Sequence, residues 1–307
     1  MTLKVSDIGE KELVKYIQAN SRSITQDDTA ITELDSTNII STTDMLIQSR
    51  HFPKNMSYFD MGFKAVTVNV SDLAAMGAEP LGFLLAIALP KDLNLDSFKE
   101  LIEGVLRACD YYQIPLIGGD TNEASEIIIT GTALGLSDNP LMKNTYRKGD
   151  LIAVTGDIGL AALGFELDTF DNIYVKYALK PKARIREGMI LKDFATSATD
   201  ITDGIASELY EIKKEGFGFI IHEERLNISD EYKQFAADLN MNYLDLILYV
   251  GEDFELLFTI SKENLDKLPI ECNVIGEVTD SDIIELVLEN GFIETIKNKG
   301  YEHYVSE

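Results

Sequence analysis

Residues 62–90, GFKAVTVNVSDLAAMGAEPLGFLLAIALP, decide the fold class. Phe63, Val66, Val70 and Leu73 recur at the spacing of one helix face, and Gly77 follows as a C-terminal stop. The spacing therefore predicts a helix over Gly62–Met76. Leu81–Leu89 is a short continuous apolar run closed by Pro90, which reads as a buried strand. Working outward, Ser97–Tyr112 carries a second apolar stripe of Phe98, Leu101, Ile102, Val105 and Cys109, and Asn38–Thr43 reads as a short buried strand. Pro115–Ile117 and Ile127–Leu136 are further strand candidates. Strand, helix, strand, helix, strand, strand is the order of a mixed α/β domain of the α+β type.

Ser137–Asp150 is polar and carries Pro140 and Gly149, so it is expected to separate residues 1–137 from a second domain, 138–307. Strands are predicted there near Leu151–Thr155, Phe217–Ile221, Leu256–Ile260, Asn273–Gly276 and Ile283–Leu288, with helices near Lys182–Phe194 and Gly204–Lys214. Two comparable α/β domains invite a ligand cleft between them.

The chain has 52 acidic residues against 27 Lys and Arg, a net charge of −25. Such a surface repels phosphate backbones and anionic lipid, which argues against a nucleic-acid or membrane partner. Cys109 and Cys272 make no disulfide framework, and His51, His222 and His303 are too scattered for a zinc site. No apolar leader segment opens the chain, and Leu81–Leu89 falls well short of the roughly 20 residues of a spanning helix. A cytoplasmic location is the expectation.

No G-x-x-x-x-G-K-[ST] or G-x-G-x-x-G loop is present. Aspartates stand out instead: Asp27-Asp28-Thr29-Ala30, Ser41-Thr42-Thr43-Asp44 closing a strand, Asn69-Val70-Ser71-Asp72 inside a helix, Gly118-Gly119-Asp120-Thr121 at a strand end, and Asp200-Ile201-Thr202-Asp203-Gly204 at a helix start. Caps and turns explain such residues one by one. Asp72 resists that explanation, being the only charge between Ala65 and Ala78. A carboxylate on a helix that is apolar on most sides must be paired, protonated or bound to a cation. Asn69, three residues earlier, is placed to add an amide oxygen. Hard oxygen ligands without His or Cys point to Mg²⁺, Mn²⁺ or Ca²⁺.

With these motifs, together with His51-Phe52, Leu73-Ala74-Ala75-Met76-Gly77-Ala78, Gly149-Asp150, Gly251-Glu252-Asp253-Phe254-Glu255-Leu256 and Lys299-Gly300-Tyr301-Glu302-His303-Tyr304, the sequence closely resembles the thiamine-monophosphate kinases. These share a superfamily with the aminoimidazole ribonucleotide and selenophosphate synthetases. The resemblance implies ATP-dependent conversion of thiamine monophosphate to thiamine diphosphate. It also implies a homodimer whose N-terminal domains pair strands into a barrel, with several Mg²⁺ ions in the site. Position by position it implies Asp28, Thr42, Thr43, Asp44, Asp72, Asp120, Asp200 and Asp203 as metal ligands. Asp28, Gly119, Asp120, Lys143 and Thr202 would contact ATP, and His51, Glu252 and Tyr301 the acceptor, with Tyr304 an alternative to Tyr301. Three positions depart from the family pattern: Gln26 replaces a Gly, Thr202 a Ser, and Lys143 an Arg, for which Arg147 is a nearby substitute. Two other readings stay open at this stage: another ATP-using enzyme of the superfamily, and a non-catalytic metal- or nucleotide-binding regulator. Against the first, no early reactive cysteine or C-terminal cysteine is present.

Overall fold

The structure, a computed structural model, describes residues 10–21, 27–167 and 172–299. The N-terminal half contains α1 (Glu10–Asn20), β1 (Ala30–Glu33), β2 (Asn38–Ile47), α2 (Gln48–His51), α3 (Tyr58–Ala75), β3 (Glu79–Leu89), α4 (Leu95–Tyr112), β4 (Leu116–Glu123) and β5 (Ile128–Ser137). The C-terminal half contains β6 (Leu151–Val154), α5 (Leu160–Glu166), α6 (Ile173–Leu179), α7 (Ile185–Leu191), β7 (Ala195–Asp200), α8 (Ile205–Ile212), β8 (Gly218–His222), α9 (Asp230–Asp238), α10 (Tyr243–Tyr249), β9 (Leu256–Ile260), α11 (Lys262–Leu265), β10 (Asn273–Thr279), β11 (Ile284–Val287) and β12 (Ile293–Thr295). Two sheets result, ordered β1-β2-β5-β3-β4 and β12-β11-β8-β10-β6-β9-β7. Each half is thus a mixed α/β unit with its own sheet, and neither sheet closes on itself.

Helix α3 positions the site. Ser57 caps it by accepting from the Asp60 N–H, and Gly77, at φ +61, lies just past its end. The predicted face is real: Val66, Val70 and Leu73 are wholly buried. So is the opposite face, with Ala65, Asn69 and Met76 at 0% exposure. A helix apolar nearly all round is one enclosed by protein, and the partners differ along its length. Its first half packs on α4, where a Cβ on Gly62 would strike the Leu101 carbonyl and one on Gly104 the Phe59 carbonyl. Its last turn packs on the C-terminal half: Ala74 and Ala75 share a cluster with Leu191, Ala198 and Leu256, and a Cβ on Gly188 would strike the Ala74 carbonyl.

Several expected elements change extent. The strand predicted over Asn38–Thr43 continues to Ile47, in unbroken register with β5 from Asn38↔Ser137 to Ile47↔Ile128. Asp44 therefore sits inside a strand; the run of polar residues reads as a strand end, but cross-strand hydrogen bonds ignore side-chain polarity. Asp120 likewise lies within β4, not at its end, because β4 runs through Gly118-Gly119 beside β3. Asp200 ends β7, whose Ala-Thr-Ser composition hides it, and only Asp203-Gly204 precedes helix α8. Among the described residues no helix is long and apolar enough to cross a membrane.

The α3–α4 crossing sets a test. Gly104→Ala should gain up to about 1 kcal/mol in helix propensity, yet overpacking against a backbone carbonyl should cost about 1–3 kcal/mol. The expected outcome is a net loss, read as a lower urea midpoint at unchanged m-value.

Candidate active site

Four elements from both halves deliver acids to one point: the segment before β1 (Asp28), β2 (Asp44), α3 (Asp72) and the end of β7 (Asp200). One carboxylate oxygen each from Asp28, Asp72 and Asp200 lies within 4.8 Å of the others. Thr42, whose side chain shares the helix-facing side of β2, donates its hydroxyl to Asp72 Oδ2. Asn69 locks this arrangement: its Oδ1 accepts the Asp44 N–H at 3.1 Å and its Nδ2 donates to the Ala65 carbonyl at 3.1 Å. The amide expected to face a cation is thus committed to the backbone.

Lys143 enters from the inter-sheet segment. Its Nζ lies 2.6 Å from Asp28 Oδ1 and 3.0 Å from Glu211 Oε2, while its backbone N–H donates to Asp27 Oδ2. Arg147 is exposed, with its backbone tied to Asp150. Even so, Asp28 Oδ2 and Asp200 Oδ2 are buried with no hydrogen-bond partner among the described residues. An orphaned anionic oxygen in a dry pocket is costly, and two side by side are more so.

The electrostatics follow from that crowding. Burial, with the Asp200 and Asp27 charges, pushes Asp28 up to about 8 against the pull of Lys143. Burial and Asp200 raise Asp44 to about 6. Asp72 is driven well above the usual carboxylate range by burial and by Asp44, Asp200 and Asp28, with Thr42 opposing. Burial also raises Asp200, opposed by the Ser71 hydroxyl and Lys143. Hard oxygen donors that repel one another, two of their oxygens without a hydrogen-bond partner among the described residues, suit a divalent cation, and Asp28, Asp72 and Asp200 have the spacing to share one.

Asp44 and Asp72 open onto a cavity of about 800 Å³ between the halves, also lined by His51, Phe165, Thr202, Asp203, Tyr249 and Glu252. That volume suits a metabolite-sized ligand. Thr202 and Asp203 are held by Glu208, whose Oε1 accepts both of their N–H groups at 3.2 and 3.1 Å. His51 ends α2, its Nδ1 accepting the Ile47 N–H at 2.9 Å. Glu252 pairs with Lys64.

Three predicted residues lie elsewhere in this chain. Thr43 faces the other side of β2 and donates to the Gly131 carbonyl at 2.8 Å. Gly119 and Asp120 line a groove on β4 with Phe98 and Ile102. Strand β4 is three places from β2 in the sheet order, and at roughly 4.8 Å per step Asp120 cannot share an ion with Asp44 of the same chain. Tyr301 and Tyr304 lie outside the described residues. Sequence reasoning missed Glu208, Glu211 and Lys64; only Lys64 left a signal, as a lysine one residue before the charge-poor stretch of α3.

Two α/β halves converging acids on a shared cleft define a class. Residues 26–137 match the AIR synthase related protein N-terminal domain and residues 147–289 its C-terminal domain. The chain belongs to the AIR synthase related family. Within it, the similarity is to thiamine-monophosphate kinases. That of Pyrococcus abyssi is 35% identical, with 97% of each chain covered, and that of Pyrococcus horikoshii 33% identical, with 96% of each covered. A solved structure described as AaThiL complexed with AMPPCP and TMP is 28% identical, with a TM-score of 0.90 over 99% of each chain.

The crowded acids make stability depend on pH in a definite direction. Each binds its proton more tightly folded than unfolded, from an ordinary value of 3.8 to about 8 for Asp28, so the penalty is absent below the ordinary value and complete above the raised one. Metal-free protein should melt at progressively lower temperature from pH 5.5 to 8.5. Mg²⁺ should restore stability, by about 2.7 kcal/mol at a hundredfold excess over its Kd, and more at high pH. Thermal scans with chelator and with Mg²⁺ check both trends.

Proposed function

We propose that this chain phosphorylates thiamine monophosphate with ATP, giving thiamine diphosphate and ADP. The observation that carries the reading is the convergence of Asp28, Asp72 and Asp200, from both halves, on one point, with Asp72 and Asp44 lining the cavity beside it. The full-length similarity to thiamine-monophosphate kinases supports the particular acceptor. An ATP-consuming step and cysteines without disulfides fit the cytoplasm.

Mg²⁺ is the cation this donor set fits. Asp28, Thr42, Asp44, Asp72, Asp200 and Asp203 are the residues we assign to hold it, and Thr43 sets the register that turns Asp44 inward. Bound there, Mg²⁺ would supply neutralisation of phosphate charge, the main requirement of phosphoryl transfer. The acceptor is itself a phosphate monoester with a second pKa of about 6, hence largely a dianion at neutral pH. It needs no general base, and the carboxylates act as ligands only. Lys143 and Thr202 are assigned to the ATP phosphates, His51 and Glu252 to the acceptor, and Tyr301 to an aromatic face of the acceptor. Residues 1–137 serve as the ATP- and Mg²⁺-binding α/β domain and 138–307 as a C-terminal α/β domain.

Gly119 and Asp120 are reconciled with this reading by a homodimer. Strand β4 is an open sheet edge whose Leu116 and Ile117 are exposed at 37% and 54%. An unpaired edge of this kind is a ready surface for another sheet. Pairing two N-terminal sheets edge to edge gives a barrel across a twofold axis, with Asp120 reaching the partner's acids.

Three measurements test the reading. Purified protein with ATP, Mg²⁺ and thiamine monophosphate should form the diphosphate, and chelator should stop it. Asp44→Asn and Asp72→Asn should each lower kcat by at least about a hundredfold; near-normal turnover in both would refute their ligand role. Equal mixing of inactive Asp72→Asn and Asp120→Asn chains should restore about a quarter of wild-type activity, because half the dimers are mixed and each then holds one intact site.

A further inference from the structure

Lys64 sits in the middle of α3 with its side chain at 0% exposure. Its ammonium donates to the His51 carbonyl at 3.0 Å and pairs with Glu252 Oε2, with the Phe52 ring centroid 6.0 Å away. Lysines are almost never buried unless paired, and this pairing joins two segments distant in the chain. His51 and Phe52 follow β2 in the N-terminal half; Glu252 precedes β9 in the C-terminal half. All three line the same cavity as Asp44 and Asp72.

The backbone of Glu252 is itself constrained. It lies at φ +66, a conformation side-chain-bearing residues seldom adopt, and Phe254 lies at φ +52. The Glu252 N–H donates to the Thr202 carbonyl at 2.8 Å and the Phe254 N–H to the Ile201 carbonyl at 3.0 Å. Gly251 packs on the Thr202 carbonyl with no room for a Cβ. Thr202 therefore fixes the peptide of Glu252 from the nucleotide side, and Lys64 fixes its carboxylate from the acceptor side. No other described residue bonds to that carboxylate, whose side chain is 29% exposed. Its second oxygen is left to a ligand.

We propose that Lys64 is a positioning residue for the phosphoryl acceptor, holding the Glu252 carboxylate and the His51 backbone at one preset separation across the two halves. A cationic, amine-bearing acceptor then meets a carboxylate already in place, so little ordering remains to be done on binding. This rests on the assignment of Glu252 and His51 to the acceptor. Lys64 bonds to Glu252 and the His51 carbonyl and to none of the clustered acids Asp28, Asp44, Asp72 and Asp200, so its effect falls on the acceptor and not on ATP.

Steady-state kinetics of wild type, Lys64→Met, Glu252→Gln and the double variant test it. Each single variant should raise KM for thiamine monophosphate about tenfold or more while KM for ATP stays within about twofold. The double variant should be no worse than the poorer single one, because both remove one interaction. An unchanged acceptor KM in Lys64→Met overturns the proposal, as do equal rises for both substrates or effects that multiply in the double variant. Should Lys64→Met not fold, Glu252→Gln alone decides. It strands a buried ammonium, so it must lower the melting temperature and raise the acceptor KM, and failure of either overturns the proposal. Absence of diphosphate formation by the wild type is a separate outcome, which refutes the kinase reading and this inference with it.

Discussion

Like charges at the join of two domains are the constraint on which the rest of this structure turns. Three carboxylates within 4.8 Å of one another repel by about 3.5 kcal/mol per pair at an effective dielectric of about 20. Burial adds a desolvation cost that one lysine offsets only in part. Folding alone would not gather these groups, and their carboxyls answer by holding protons well above the ordinary range.

The scaffold that tolerates this is α3. Nearly every face of the helix is covered: α4 on one side, the first sheet on another, and the C-terminal half against its last turn. Small residues at the contacts (Gly62, Gly104, Ala74, Gly188) let backbones approach closely, so the helix has little freedom to relax when Asp72 is charged. The same helix carries Lys64, two turns earlier, behind the cavity-lining His51 and Glu252, to which its ammonium bonds. One helix thus carries both Asp72 of the acid cluster and the Lys64 that pairs with Glu252, which ties the two groups to a single rigid body.

Much of this was legible beforehand. The helices at 58–75 and 95–112 and the strand ending at Leu89 stand close to their expected places, because periodicity is a local property. Asp72 was conspicuous because an unpaired acid in an apolar helix has no cheap explanation. Strand β7 was invisible, since Ala-Thr-Ser-Ala-Thr has neither apolar runs nor alternation and is held by its neighbour β9. Glu208 looked like any acid on an amphipathic helix; its role in gripping Thr202 and Asp203 depends on where the preceding loop folds back.

By itself the sequence determined most of the element types, the unusual set of aspartates and the family, since each is written in residue identity and spacing. Only the tertiary structure decided which acids meet. Asp28 and Asp200 are 172 positions apart yet adjacent, while Asp120, equally suggestive in sequence, lies three strands from Asp44 in the same sheet. Strand order and helix packing set those distances, and they are sums over long-range contacts that no local pattern encodes.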